Sequence, residues 1–388
     1  MPDFEALRSE FRCLRKTTYL NTGTLGPTPA TVMEDYLADL RAWNDAGAGD
    51  PPVYIGRRDA LEATRQALAA WLGTEVANLT LTQSVTESIN IVLAGLTLPS
   101  DARILTTDEE HGALLAPLDR LRRKGGRVEE VTFGNGGGDL TKRLRSAMDG
   151  EPVRLVALSH VSSCTGAVAD VAAIGQLCHK EGALLLVDGA QAAGQIPVDL
   201  GTWDVDFYAL NGHKWMLAPV GCGGLFIRPE AAPLVEEVFT GDGPGYVQKV
   251  PGSVEASRPG DGRRFEIGTR NWPALAAWGR VMALWREIGE EACYERQRGL
   301  ARELADLLAE VPGIAFFSPR VPETGMTTIA LPGWDADRLL AALRKRGIVG
   351  RPVKFARGEA VRFSTAWFNN RRDVEAAAQA VQEIALGG

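Results

Sequence analysis

Between Leu79 and Arg228, short strand-like runs alternate with segments of helical period, and that alternation constrains the fold more than any single residue does. Ala183–Val187 is wholly apolar, and Leu79–Thr82, Arg103–Thr106, Val128–Phe133, Val153–Ser159, Val205–Leu210 and Gly223–Arg228 read as strands of the same kind. Helices are expected at 87–96, 112–123 and 170–181. Strands that are continuously apolar must be covered on both faces, and helical crossovers between them make the sheet mostly parallel. Upstream, Leu61, Leu68, Trp71 and Leu72 mark a helix over Arg57–Leu72. Beyond Pro273 the pattern changes to long helices (273–288 and 291–310) and a few strands near Met326–Leu331, Ile348–Arg351 and Val361–Thr365, closed by a helix over 371–386. The reading is an α/β chain with an arm (1–29), a large domain (30–265) and a smaller α+β domain (266–388). The Gly-, Pro- and Ser-rich stretch Gly241–Gly262 reads as a long mobile loop, with a role as a lid left open.

A chain of 388 residues with 45% apolar content can bury a large core. Its net charge of -7 argues against a nucleic-acid partner or an anionic membrane surface. No apolar run approaches the roughly 18 residues of a membrane span, and no secretory leader pattern opens the chain. Five scattered cysteines and four histidines without ligand spacing point to reduced thiols, a cytoplasmic location and no metal.

The chemistry is concentrated at strand ends, where ligands of open α/β sheets bind. Asp188 closes one apolar strand, and Lys214 follows the next across an Asn211-Gly-His213 turn. A lysine to hold an aldehyde as a Schiff base and a carboxylate to keep a pyridine nitrogen protonated are what pyridoxal phosphate (PLP) needs. Only Lys214, of eight lysines, has this setting. Gln191 can reach the cofactor's phenolate oxygen, or else is a solvated helix residue. Gln83-Ser84-Val85-Thr86-Glu87 joins a strand to a helix, an anion site suited to phosphate, although Ser/Thr caps are common without one. His213 can add a phosphate contact. His111 either stacks on the ring and moves protons or caps a helix; His160 is ambiguous. Arg362, amid apolar neighbours, is a candidate clamp for a carboxylate, with Arg351 as a second, against the alternative of strand-edge surface residues. No G-x-G-x-x-G opens a βα unit, which disfavours a dinucleotide.

The segments LVDGAQ (186–191), ALNGHKW (209–215), SVTESIN (84–90), DEEHGALLAPL (108–118), RFEIGTRN (264–271) and VRFS (361–364) resemble class V aminotransferases of PLP fold type I. The resemblance runs from Tyr19 to the final helix. It implies a large domain with a mostly parallel seven-stranded sheet, and a homodimer with shared active sites. By the same resemblance Lys214, Asp188 and His111 are catalytic, and the cofactor is held by Ser84, Val85, Thr86, His111, Asp188, Gln191, Asn211, His213, Lys214 and Thr269. Thr269 would reach the neighbouring subunit's phosphate, while Arg362, Arg351, Asn21 and Ser163 would meet a small amino-acid substrate. The arm TYLNTGTLGPTP (18–29), FEIGTRN and the Arg351/Arg362 pair look most like cyst(e)ine C–S lyases.

Two departures shape the expected activity. Cysteine desulfurases carry a cysteine before the carboxylate-binding arginine, whereas Gly350–Glu359 has none, so a sulfur relay is disfavoured. Ser163 stands where desulfurases have an asparagine, and Cys164 beside it reads as a small buried residue. The expectation is β-elimination from a cysteine-like amino acid, giving pyruvate, ammonia and a sulfur product. The alternatives are an aminotransferase or epimerase on the same scaffold, or a non-catalytic binding protein.

Overall fold

The computed structural model describes residues 2–134, 137–243 and 245–387. The arm forms α1 (Phe4–Arg8) and β1 (Thr18–Tyr19), followed by α2 (Ala30–Asp45) and α3 (Pro51–Leu72). The central series is β2 (Leu79–Thr82), α4 (Val85–Gly95), β3 (Arg103–Thr107), α5 (Gly112–Arg123), β4 (Arg127–Val131), α6 (Gly137–Ala147), β5 (Val153–Ser159), α7 (Val171–Lys180), β6 (Leu184–Asp188), β7 (Phe207–Asn211) and β8 (Gly223–Ile227). These strands make one seven-stranded sheet in the order β2-β8-β7-β6-β5-β3-β4. Only β8 runs against its neighbours. The expected fold, α/β with a mostly parallel seven-stranded sheet, is therefore the one observed.

Burial explains the strand signal. β6, β7 and β8 are buried along almost their whole length because helices cover both faces. At the sheet edge, β4 (RVEEV) is partly exposed, and its charges discourage pairing with another chain. On one face, α8 (Trp272–Ile288) packs along α3, burying Trp278, Val281, Met282 and Trp285 with Leu68 and Leu72. Because α8 belongs to this core, we propose that the second domain begins at α9 (Glu290–Ala309) rather than at residue 266.

The stretch expected to be a mobile loop is instead a hairpin of β9 (Tyr246–Val250) and β10 (Ser253–Ser257); Pro244 lies outside the described residues. Pro251-Gly252 makes its turn, with Gly252 at φ 75°. β10 is exposed throughout, so no apolar alternation marked it in sequence.

After α9 come β11 (Ala315–Phe316), β12 (Met326–Ala330), α10 (Ala336–Lys345), β13 (Ile348–Val349), β14 (Arg351–Phe355), β15 (Gly358–Ser364) and α11 (Arg371–Gly387). Four of these strands form an antiparallel sheet ordered β11-β12-β15-β14. The arm docks here: β1 pairs with β13, and Arg8 grips the buried Asp373 of α11 through both carboxylate oxygens at 2.6 and 2.9 Å. Among the described residues, no helix is long and apolar enough to cross a membrane.

Candidate active site

The C-terminal ends of β2, β5, β6 and β7, the start of α5, the arm and the β14–β15 hairpin enclose a cavity of about 440 Å³. Lys214, Asn211, His213, Gln191, Ser84, Val85, Thr86, His111, Ser163, Arg351 and Arg362 line it, with Gly23, Thr24, Glu110 and Cys164. Two glycines let the arm come this close. A Cβ on Gly26 would sit 2.1 Å from the Lys214 carbonyl oxygen, and one on Gly23 would meet Arg362, Ser364 and Gln191 at 2.9–3.1 Å.

The Lys214 amine makes no hydrogen bond or ion pair among the described residues, and burial pushes its pKa down to about 8, with Asp188 opposing and Arg362 and Arg351 adding to the shift. At pH 7 roughly a tenth of such a group is the neutral nucleophile, against about 0.03% for an ordinary lysine. In the cofactor-free protein, acylation of Lys214 followed by peptide mass analysis should reach half its limiting rate near pH 8. A midpoint near the ordinary lysine value would contradict this environment.

Asp188 ends β6 and is 3% exposed. Its Oδ1 accepts from the Ala190 N–H at 2.9 Å, and the other oxygen has no donor among the described residues. Burial raises its pKa, and Lys214 works against that rise. Such a carboxylate favours a cationic partner.

Ser84 caps α4 by accepting from the Glu87 N–H, and Asn211 Oδ1 accepts from the Val85 N–H at 2.8 Å. Two of the helix's leading N–H groups are thus taken, so Asn211 and Ser84 act by shaping the cradle. Thr86, with its own N–H and an exposed hydroxyl, remains for an anion. The buried Nδ1 of His213 is without a partner among the described residues. An unpaired amine, a half-satisfied carboxylate and a helix N-terminus beside an orphaned imidazole nitrogen fit a phosphorylated pyridine aldehyde.

Other expected residues behave differently. His111 is the N-cap of α5: Nδ1 accepts from the Ala113 N–H at 3.1 Å. Burial, with Lys214 and the two arginines, pushes its pKa down to about 4. It is neutral, with its proton on Nε2, and so is suited to present a ring face rather than to accept protons. Gln191 Nε2 donates to the Gly23 carbonyl at 2.8 Å and Oε1 accepts from Trp215 Nε1 at 2.7 Å, leaving one N–H for a cofactor oxygen. Asn21 does not line the cavity; its Oδ1 accepts from the Thr24 hydroxyl, and Thr24 lines the cavity in its place. Thr269 lies exposed on the wall of a second cavity with Arg57 and Arg258 and is not brought to Lys214. His160 is buried under the sheet end, bonded to the Tyr208 hydroxyl at 2.9 Å.

Arg351 and Arg362 face each other directly across β14 and β15. Like charges opposed on neighbouring strands repel, and an anion between or beside them would relieve that repulsion. Neither has a carboxylate partner among the described residues: Arg362 donates to the Ser163 carbonyl at 2.5 Å, Arg351 to the Thr24 hydroxyl at 3.0 Å. Arg362 is 1% exposed with its Nε unpartnered, and burial pushes its pKa down to about 9. The pair thus leaves donor capacity open toward the cavity.

Against known proteins, the class-V aminotransferase family model matches residues 19–376. The chain belongs to the class-V aminotransferase family. It is 30% identical to the isopenicillin N epimerase of Streptomyces clavuligerus and 27% identical to a probable cysteine desulfurase of Methanothermobacter thermautotrophicus, over 98% of each chain. In structure it is similar to the cystine C–S lyase C-DES solved with its reaction product cysteine persulfide (TM-score 0.89, 26% identity, 96% and 99% of the two chains). A C-DES mutant with glycine covalently linked to its PLP cofactor aligns at TM-score 0.90.

Beside the cavity lie two buried acids that the sequence did not single out. Glu110 receives the hydroxyls of Thr107 (2.6 Å) and Ser159 (2.5 Å) and the Ser159 N–H (3.0 Å). Burial pushes its pKa up to about 7. Glu109 is 1% exposed and is bound by Ser162, Thr165 and Arg357. Their one sequence signal was the run of three acids, Asp108-Glu109-Glu110, directly after the strand Arg103–Thr107.

Proposed function

We propose that the chain is a PLP-dependent C–S lyase that eliminates sulfur from a cysteine-like amino acid. The observation that carries this is one cavity lined by an unpaired, pKa-lowered lysine and two opposed arginines with no carboxylate partner among the described residues, the buried Asp188 lying close enough to Lys214 to oppose its shift. When bound, PLP supplies an aldehyde for capturing the amino group and a ring that takes up the electron pair released at Cα. Arg362, aided by Arg351, grips the substrate carboxylate and fixes the orientation of its Cα–H bond. Lys214 Nζ, neutral in useful amount near neutral pH, takes the Cα proton. Asp188 keeps a cation in place on its free oxygen. Water enters and sulfur leaves from Cβ, so that a cysteine thioether or disulfide plus water becomes pyruvate, ammonia and the thiol or persulfide.

Release of a free sulfur product, rather than relay through a protein thiol, is supported by the β14–β15 connection, a two-residue turn of Ala356 and Arg357 without cysteine. Cys164, the thiol lining the cavity, is pushed up to about 11 by burial and so is protonated. Free cysteines support a reducing, cytoplasmic setting, and the exposed Thr269 supports a homodimer in which it serves the second copy.

The test is to supply PLP and cystine or cysteine and to assay products. Pyruvate, ammonia and sulfide or persulfide in equal amounts are expected. A keto acid that retains sulfur would indicate transamination, inverted amino acid without pyruvate would indicate epimerisation, and either would overturn this reading.

A further inference from the structure

The two arginines of the carboxylate site sit at the open base of the β14–β15 hairpin, and its tip is tied to the large sheet. Residue pairing runs from Arg351 opposite Arg362 to Phe355 opposite Gly358, so the tip lies four residues, roughly 14 Å, from the arginines. There Arg357 forms an ion pair with Glu109, which lies between β3 and α5 next to Glu110 and His111. The guanidinium stacks over Phe355 (5.4 Å to the ring centre), and Phe355 packs edge-on against Phe317.

The other oxygen of Glu109 accepts from the hydroxyls of Ser162 and, at 2.8 Å, Thr165. Ser162 Oγ in turn accepts from the N–H groups of Cys164 (3.2 Å) and Thr165 (3.1 Å), which closes a tight turn. That turn presents the Ser163 carbonyl to Arg362 and the Cys164 carbonyl to Thr328 of β12, at 2.8 Å. One buried carboxylate therefore fixes both the tip of the hairpin that carries the arginines and the turn that aims one of them.

We propose that Glu109 and Arg357 are positioning residues for the substrate-carboxylate clamp, setting amino-acid affinity from outside the reacting atoms. The proposal rests on the reading that Arg351 and Arg362 receive the substrate carboxylate. Without Arg357, the hairpin keeps its hydrogen bonds to β12 but loses its fixed height above the cavity. Without the Glu109 charge, the same freedom appears and the 162–165 turn loosens as well. A role confined to joining two domains predicts lower stability with unaltered substrate affinity.

The experiment compares wild type with Arg357→Gln, Glu109→Gln, the double variant and Arg357→Lys. Kinetic constants are measured on the PLP-loaded enzyme, and hydrogen exchange of backbone amides on the cofactor-free protein. The expected result is a rise in KM of about tenfold in each glutamine variant with a smaller fall in kcat, since the clamp both holds the carboxylate and orients the Cα–H bond. The double variant should be no worse than the worse single one, and lysine should restore part of the affinity. Amides of residues 351–364 should exchange faster in the variants, while those of β5 and β6 keep their protection. Unchanged KM with a lowered melting temperature, a fall in kcat at constant KM, or unchanged hairpin exchange would each overturn the proposal. Exchange is read without turnover, so it decides the proposal even where the wild type shows no lyase activity.

Discussion

Replacing Lys214 by alanine is expected to lower turnover by about 10²- to 10⁴-fold, because the group that moves the Cα proton is lost and positioned general bases contribute that much. No neighbour can take over. His111 has committed Nδ1 to the start of α5 and is held neutral, far below the pKa of a useful base. Glu110 is locked by three hydrogen bonds at the ends of β3 and β5. The variant should fold normally, since burial already opposes the charged amine and the substitution leaves Asp188 its hydrogen bond from Ala190. The check has two parts. Product formation is measured with PLP in excess, and borohydride is used to fix the cofactor before peptide mass analysis. Wild type should carry the pyridoxyl mass on the peptide containing Lys214, and the variant should carry none there. Activity within about tenfold of wild type would remove Lys214 from the mechanism.

How much of this was legible in the sequence follows from where each residue's partners lie. Asp188 ends an apolar strand, and Lys214 and His111 follow strands by three and four residues, so one local pattern located both the sheet and its ligand-bearing edge. The double role of His111 was not legible, since capping and lining the cavity use opposite sides of one ring. α2 escaped notice because Val32 is its only fully buried residue, which leaves no apolar stripe to read. The β9–β10 hairpin was hidden for the same reason: an exposed strand need not alternate. Glu109 and Glu110 look like solvated loop acids until Ser159, Ser162, Thr165 and Arg357 arrive from 49 to 248 residues away. Gln191 was found by its place after Asp188, but its bonds to Gly23 and Trp215 depend on how the arm crosses the cavity.

Arg362→Ala should lower kcat/KM by about 30- to 5,000-fold, corresponding to the 2–5 kcal/mol lost when one partner of a buried, hydrogen-bonded charge pair is removed. The size of the effect follows from burial. At 1% exposure the guanidinium meets its anion in a site with little water to compete, and it is already aimed by the Ser163 carbonyl. Arg351→Ala should cost less, because Arg351 is only half-buried and has one hydrogen bond, to Thr24. Arg362→Lys should recover little, since one ammonium cannot reproduce two parallel N–H donors. Protein stability gives the control. Removing an arginine that faces Arg351 relieves repulsion but leaves a cavity, so the melting temperature should move far less than the kinetic loss implies. Equal losses for amino acids and for the corresponding amines without a carboxylate would refute the assignment, because the whole penalty of Arg362→Ala is predicted to disappear with the carboxylate it holds.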